Sequence, residues 1–368
     1  MEDVFRFRDD LGPAKVIHIT EAHSGLKAVL VIDNVACGPA IGGVCMAPDV
    51  NSEECIRLAR AMTLKNAAAG LSHGSAKAVI FAGPRMPAVD KVRLLRAFAG
   101  AIANLKDYIA GPDMGTDEAC MAWIHDEIGR SVGLPVALGG VPLDEIGATG
   151  FGLAVAVDVA KDFCGLELKG ARIAVQGFGS VGRNAARFLA EKGAMLVAAA
   201  DSQGTLTDPA GLDIAALVAL KRDGGSLADH GSGRKLDRDA IVGVDCDIWI
   251  PAARPDVIRT DNVAQVKAKL IVQGANIPVT PEAEAALQAR GVLSVPDFIA
   301  NAGGVICAAV EFRGGGQRGA FAAIEEKVHA NTRSVLETSR AEGVLPRDAA
   351  NALARRRLGA AMSYRRWS

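Results

Sequence analysis

Residues 171–201, ARIAVQGFGSVGRNAARFLAEKGAMLVAAAD, constrain the fold more than any other stretch of the chain. An apolar run through Ile173, Ala174 and Val175 leads into Gly177, Gly179 and Gly182. A helix-like segment follows to Lys192, and after Gly193 a second apolar run ends at Asp201. Strand, glycine-rich turn, helix, strand and acid, in that order, predict a βαβ unit that cradles a dinucleotide. Gly177 allows the tight turn, Gly179 lets the backbone approach a pyrophosphate, and Gly182 lets the helix pack close on the strand. Phe178, Ser180 and Val181 complete the turn, and the helix N-terminus offers N–H groups and a partial positive charge to the phosphates. Asp201 lies nineteen residues beyond Gly182, near the roughly 20 expected of an acid that takes the ribose hydroxyls. Such a carboxylate repels a 2′-phosphate, so the expected cofactor is NAD.

From about residue 144 the chain alternates helix and strand, which predicts a parallel, doubly wound sheet. A Gly/Ala-rich helix covers 149–162, strands cover 247–250, 270–272 and 292–295, and 223–238 is a polar loop. Residues 25–140 read differently, with strands at 26–33, 78–81 and 108–110 and helices at 51–69, 87–105 and 117–128. Asn51 and Glu54 have capping-box spacing, and Thr116 can cap the helix that follows it. The expected fold class is α/β with two domains and a cleft between them. Residues 1–143 would form an N-terminal substrate, catalytic and oligomerisation domain, and 144–329 a Rossmann-type dinucleotide domain. Long Arg-containing helices from about 330 to 368 would pack back on the first.

Composition removes several function classes. Of 368 residues, 50% are hydrophobic and 23% charged, with a net charge of -1. No basic patch argues for nucleic acid, and no polybasic run argues for a membrane surface. No apolar run reaches the roughly 18 residues of a membrane span, and MEDVFRFRDD has no signal core. The seven cysteines are dispersed without CxxC, and the six histidines form no HExxH. The expectation is a cytoplasmic chain with reduced thiols and no metal site.

Three charged residues stand out. Lys65 falls in phase with Cys55, Leu58 and Met62 on an apolar helix face, where a lysine is rare unless paired or functional. Lys77 follows a glycine-containing turn and opens an apolar strand; desolvation and a second lysine nearby would favour a neutral base. Asp113 ends a strand in GPDMGTDE, where α/β proteins collect functional groups. Each also has a plain structural reading, as a snorkelling lysine, a strand-edge charge and a turn residue. His73 reads as a loop histidine.

Over residues 25–315 the chain resembles the glutamate/leucine/phenylalanine/valine dehydrogenase superfamily. The resemblance is carried by GPAIGGVCMAP, LARAMTLKNAAAGLSHGSAKAVI, YIAGPDMGTDE, ATGFG, VQGFGSVG, DIWIPAA, QGANIPVT and PDFIANAGGV. It implies that Lys65 binds a substrate α-carboxylate, that Lys77 is the catalytic base and that Asp113 shuttles protons. Asn301 matches an asparagine near the substrate amine, and Thr149, Ala252, Ala253 and Asn276 match positions beside the cofactor. Ile41, Gly42, Gly111, Val305 and Ala308 would line the substrate pocket. Glutamate-specific members have lysine and serine at the positions of Ile41 and Ala308, so the resemblance implies NAD-dependent deamination of an apolar L-amino acid by a homo-oligomer. Two alternatives stand beside it: a glutamate dehydrogenase with an altered pocket, and a weakened paralogue that binds or regulates. The family's GGxR is Gly42, Gly43, Val44, Cys45 here, its GGGKG stretch is HGSAK, and 201–213 is closer to the glutamate branch.

Overall fold

A computed structural model describes residues 4–365, so the outermost ends of the expected ranges 1–143 and 330–368 lie outside it. The chain forms two compact units, residues 1–143, 305–320 and 353–368 in one and 144–304 with 321–352 in the other. The expected 144–329 domain is therefore interrupted, because 305–320 cluster with the first unit, and the C-terminal helices are divided between the two.

The first unit is built on β1 (Lys15–Glu21), β2 (Leu26–Asn34), β3 (Ala40–Met46), α1 (Ser52–Ala68), β4 (Gly74–Ile80), α2 (Ala88–Ala101), β5 (Tyr108–Pro112) and α3 (Glu118–Ile128). The strand order is β1-β2-β4-β3-β5, with β3 parallel to both β4 and β5. β2 alternates with period two: Leu26, Ala28, Leu30 and Ile32 enter the core that holds Phe98 and Tyr108. Val29 and Val31 point the other way, to Cys55, Ala59 and Val79. Both faces are thus covered, and all seven residues of β4 are buried. Lys77 lies in mid-strand rather than at the strand's opening. β3 is a strand that the sequence reading did not assign, because Gly42 and Gly43 break the apolar pattern.

Local signals hold with two corrections. The Asn51 side chain accepts from the Glu54 backbone N–H at 2.8 Å and starts α1 as its spacing suggests. The buried face of α1 is Cys55, Ile56, Ala59, Thr63 and Asn66, so Leu58, Met62 and Lys65 sit on its shoulder, only partly buried. The cap of α3 is Asp117, which accepts from the Cys120 N–H at 3.0 Å, and not Thr116. The Thr116 hydroxyl instead donates to the Val44 carbonyl at 2.8 Å and accepts from the Asp113 N–H at 3.0 Å.

The boundary into the second unit falls at the short α4 (Leu143–Ile146). There follow α5 (Ala148–Cys164), β6 (Arg172–Gln176), α6 (Ser180–Glu191), β7 (Met195–Ala200), β8 (Thr205–Thr207), α7 (Ile214–Arg222), β9 (Arg234–Leu236), β10 (Ile248–Pro251), β11 (Leu270–Val272), α8 (Pro281–Ala289), β12 (Leu293–Val295), α9 (Asp297–Ala300), α10 (Gly303–Phe312), α11 (Gln317–Glu342) and α12 (Pro346–Met362). The sheet runs β12-β11-β10-β6-β7-β8-β9. Its first five strands pair in parallel, while β8 and β9 add an antiparallel edge, β9 lying within the expected polar loop. The order reverses beside β6, where doubly wound sheets open a ligand crevice. Among the described residues no helix is long and apolar enough to cross a membrane. All seven cysteines are unpaired, five of them buried.

Candidate active site

In the first unit the structure brings Lys77 and Asp113 together, although they are 36 residues apart: Lys77 Nζ donates to Asp113 Oδ2. β3 runs between their strands, and the residue under the crossing is Gly43. A Cβ on Gly43 would lie 2.1 Å from Asp113 Oδ2 and 2.8 Å from its Cβ. The missing side chain is what opens the lane. Gly42 serves the next register, where a Cβ would come within 2.0 Å of the Ala76 carbonyl oxygen. The Lys77 side chain is 8% exposed and that of Asp113 32%, so the pair is covered at the lysine and open at the carboxylate. The Met114 N–H fixes Asp113 Oδ1 at 2.7 Å, and Thr116 holds the Asp113 backbone.

Three further groups, to which the sequence assigned no role, are linked to this pair. Tyr108 is fully buried and donates to the Gly42 carbonyl at 3.0 Å, with burial raising its hydroxyl well above the ordinary range. Cys55 Sγ donates to the Lys77 carbonyl at 3.3 Å, and burial pushes that thiol up to about 12. Burial also raises the Cys45 thiol, with Lys77 pulling the other way. Cys45 is visible in the sequence as the residue in place of the family's GGxR arginine. Gly43 also had a signal, as the second glycine of an apolar strand, where close backbone approach is a standard cause.

Of the remaining first-unit candidates, Ile41, Gly42 and Gly111 lie on the adjacent strands β3 and β5. Ile41 pairs with Ile109, Gly42 with Ala110 and Gly43 with Gly111. Ile41 and Ala308 are each 7% exposed, and Val305 is partly buried on α10. Lys65 lies near the end of α1, one residue before Asn66, whose amide donates to the Gly74 carbonyl at 2.8 Å. His73 stands in the loop before β4, as expected, and is buried there; its ring meets Phe312 edge-on at 5.6 Å, and burial lowers its basicity.

The second unit carries the dinucleotide candidates. Gly177 has φ 87°, and a Cβ there would press within 2.8 Å of Ala252 and Ala253 backbone atoms. A Cβ on Gly182 would meet the Gly177 carbonyl at 2.1 Å, whereas one on Gly179 would meet nothing within 4 Å. Those are the three roles the spacing implies: turn, helix packing and open approach. Gly179 is the N-cap of α6 and offers no side-chain cap, and Ser180 Oγ donates away to the Asp144 carbonyl at 3.0 Å. No side chain therefore caps the first N–H groups of α6. Phe178 is buried and Val181 partly so. Thr149 stands in the first turn of α5, 3.1 Å from where a Gly304 Cβ would lie. Asn301 Nδ2 donates to Asn276 Oδ1 at 3.1 Å, while Asn301 Oδ1 is buried without a partner. An orphaned acceptor and an uncapped helix start fit a ligand with a carboxamide and phosphates.

Asp201 departs from expectation. Its side chain is 8% exposed and turned inward. Oδ2 accepts from Lys221 Nζ at 3.0 Å and the Leu227 N–H at 2.9 Å, and Oδ1 from the Gln203 N–H at 2.9 Å. Ser226 Oγ reaches both oxygens at 3.3 Å. A carboxylate has about four lone-pair sites, so these donors saturate it. Asp201 fastens the 226–227 turn to the end of β7, and Lys221 balances its charge. Burial works against the carboxylate, but the Leu227 and Gln203 N–H groups and Lys221 outweigh it and hold Asp201 below the usual range. A depressed folded-state value adds stability above the unfolded value and loses it as pH falls through the folded one. Asp201→Asn should therefore flatten the acid limb of a Tm-against-pH profile below about pH 4. An unchanged acid limb would contradict the clamp.

Two family models match the chain. The one described as Glu/Leu/Phe/Val dehydrogenase, dimerisation domain, covers residues 13–130, and Glutamate/Leucine/Phenylalanine/Valine dehydrogenase covers 139–366. The NADP(+)-dependent glutamate dehydrogenase of Pyrobaculum calidifontis is 41% identical over 298 residues, 76% of this chain and 70% of that protein. The NAD-specific glutamate dehydrogenase of Staphylococcus aureus is 35% identical over 355 residues, 91% and 85% of the two chains. Among solved structures, the hetero-hexameric glutamate dehydrogenase of Thermus thermophilus in its Leu-bound form superposes with TM-score 0.83 at 31% identity, covering 95% of this chain and 89% of that one. The L-tryptophan dehydrogenase of Nostoc punctiforme gives TM-score 0.73 at 26% identity, with 96% and 98% covered.

Proposed function

The chain belongs to the Glu/Leu/Phe/Val dehydrogenase superfamily, and from that premise we propose that it catalyses the reversible oxidative deamination of an L-amino acid to the 2-oxo acid and ammonia. The observation that carries the reading is the Lys77–Asp113 pair, joined across Gly43, with the lysine covered in the middle of β4 and the carboxylate open. When bound, the nicotinamide cofactor supplies a hydride acceptor for the substrate Cα. Lys65 holds the α-carboxylate. Lys77 passes its proton along the existing hydrogen bond to Asp113 and then removes a proton from the water that attacks the imine carbon. Asp113 returns a proton to the carbinolamine nitrogen and then, as a carboxylate, takes the hydroxyl proton as the C–N bond breaks, the carbonyl forms and ammonia leaves. In the second unit, the 177–182 turn, Thr149, Ala252, Ala253, Asn276 and Asn301 hold the cofactor.

Glutamate is the first substrate to test, because the relatives at 35–41% identity are named glutamate dehydrogenases. A second reading, an apolar amino acid, is favoured by Ile41 and Ala308, both buried and apolar. Burying a γ-carboxylate against them without a partner costs several kcal/mol. The cofactor proposed is NAD, with NADP accepted as well, since Lys221 balances the Asp201 charge that would repel a 2′-phosphate. A homo-oligomer is the expected assembly. Absorbance at 340 nm with glutamate, leucine, valine and phenylalanine, each with both cofactors, ranks these readings. Absence of turnover with all four would remove the assignment. The pocket itself is tested by installing Ile41→Lys together with Ala308→Ser. The ratio of glutamate to leucine kcat/KM should rise by about 10²-fold. An unchanged ranking would place the side-chain pocket elsewhere.

A further inference from the structure

Two non-glycine residues among those described have positive φ, Asp256 at 51° and Ile277 at 50°. They are joined, the Asp256 N–H donating to the Ile277 carbonyl at 3.0 Å. Aspartate tolerates this region. A β-branched isoleucine does so poorly, and Pro278 after it restricts the backbone further. The conformation is imposed from outside. The Ile277 N–H donates to Asp297 Oδ2 at 2.9 Å, and Asp297 Oδ1 takes Arg347 Nη1 at 2.9 Å. Upstream, the Gly274 and Ala275 N–H groups both donate to the Pro251 carbonyl, at 3.0 and 2.9 Å.

Glycine or asparagine would adopt this backbone at lower cost. The fold does not explain why isoleucine stands there, because the residue is 48% exposed and outside the described cores. Its neighbour does suggest a reason. Asn276 accepts from Asn301, and Asn301 Oδ1 is the buried acceptor left without a partner. Backbone strain held by over-determined surroundings gathers at ligand clamps. A half-exposed apolar side chain beside convergent polar groups gains by covering a flat ring.

We propose that the Ile277 side chain is a cofactor contact at the nicotinamide end of the dinucleotide site, and that the Asp297–Arg347 pair holds the strained backbone that presents it. This rests on the reading of Asn276 and Asn301 given above, which the test separates. The variants are Ile277→Gly and Ile277→Asn; asparagine favours the left-handed backbone without glycine's freedom. Both should raise Tm by about 2 °C, as strain is relieved. Both should weaken NADH binding, read by fluorescence titration of the full chain, by about tenfold. Wild-type affinity in both overturns the proposal. So does loss in the glycine variant alone, which would make backbone freedom the cause. Asn276→Ala is the companion measurement. If it weakens NADH while the Ile277 variants do not, only the present proposal falls. If it too binds NADH as the wild type does, the placement of this loop at the nicotinamide end falls with it.

Discussion

Lys77→Ala is expected to leave a folded protein that binds NADH normally and turns over about 10²–10⁴-fold more slowly, the usual cost of losing a positioned general base. Binding should survive because the residues proposed to hold the dinucleotide lie in the second unit, among them those on β6, α6 and the loops after β10 and β11. Turnover should not, because Lys77 is the hydrogen-bond partner of Asp113 Oδ2, and the remaining fixed contact is the Met114 N–H on Oδ1. The checks are kcat by absorbance at 340 nm and NADH affinity by fluorescence. A variant keeping more than about a tenth of the wild-type rate would remove Lys77 from the chemistry.

Gly43→Ala tests the same pair without touching either charged residue. The added carbon would sit 2.1 Å from Asp113 Oδ2, a separation that real Cβ atoms do not tolerate. Gly43 is in mid-strand, pairs with Gly111 on β5, and is flanked by Ile41 and Val44, which pair with β4, so the strand has little room to retreat. Asp113 is the group that must move, and moving it breaks the hydrogen bond to Lys77. The expected loss is about 10²-fold in kcat, the scale of an ångström misplacement of a catalytic group. Stability should fall by only about 1–3 kcal/mol, the cost of modest overpacking, since the displaced carboxylate can reach water. In a Lys77→Ala background the same change should cost little further activity, because the pair is already gone. Equal losses in both backgrounds would mean that Gly43 serves the strand and not the pair.

The candidate site divides according to how far apart in the chain its members stand. Gly177, Gly179 and Gly182 fall within one βαβ unit, and their three roles follow from the covalent order alone. Lys77 was visible as a charge opening an apolar strand and Asp113 as an acid at a strand end, yet their pairing runs through β3, a strand that its two glycines concealed. Thr116 was the expected cap of α3; Asp117 took the role because the Thr116 hydroxyl is drawn to Val44 on a neighbouring strand. For Lys65, the helical phase was right to within one position, but the buried stripe of α1 is set by what β2 and β4 present to it.

The sequence by itself determined the two α/β units, the strand–turn–helix that would take the pyrophosphate and the residue types available for acid–base work. Those depend on short-range periodicity and on glycine, whose effects act within a few residues. Only the tertiary structure decided that Gly43 opens the lane between Lys77 and Asp113, and that Arg347 reaches back to Asp297. It alone decided that Asp201 spends its carboxylate on Lys221, Ser226 and Leu227 rather than facing outward. A buried carboxylate takes whichever donors packing brings within about 3 Å. Two of those donors, Ser226 and Leu227, come from a turn inside the expected polar loop, and the third, Lys221, from the last turn of α7.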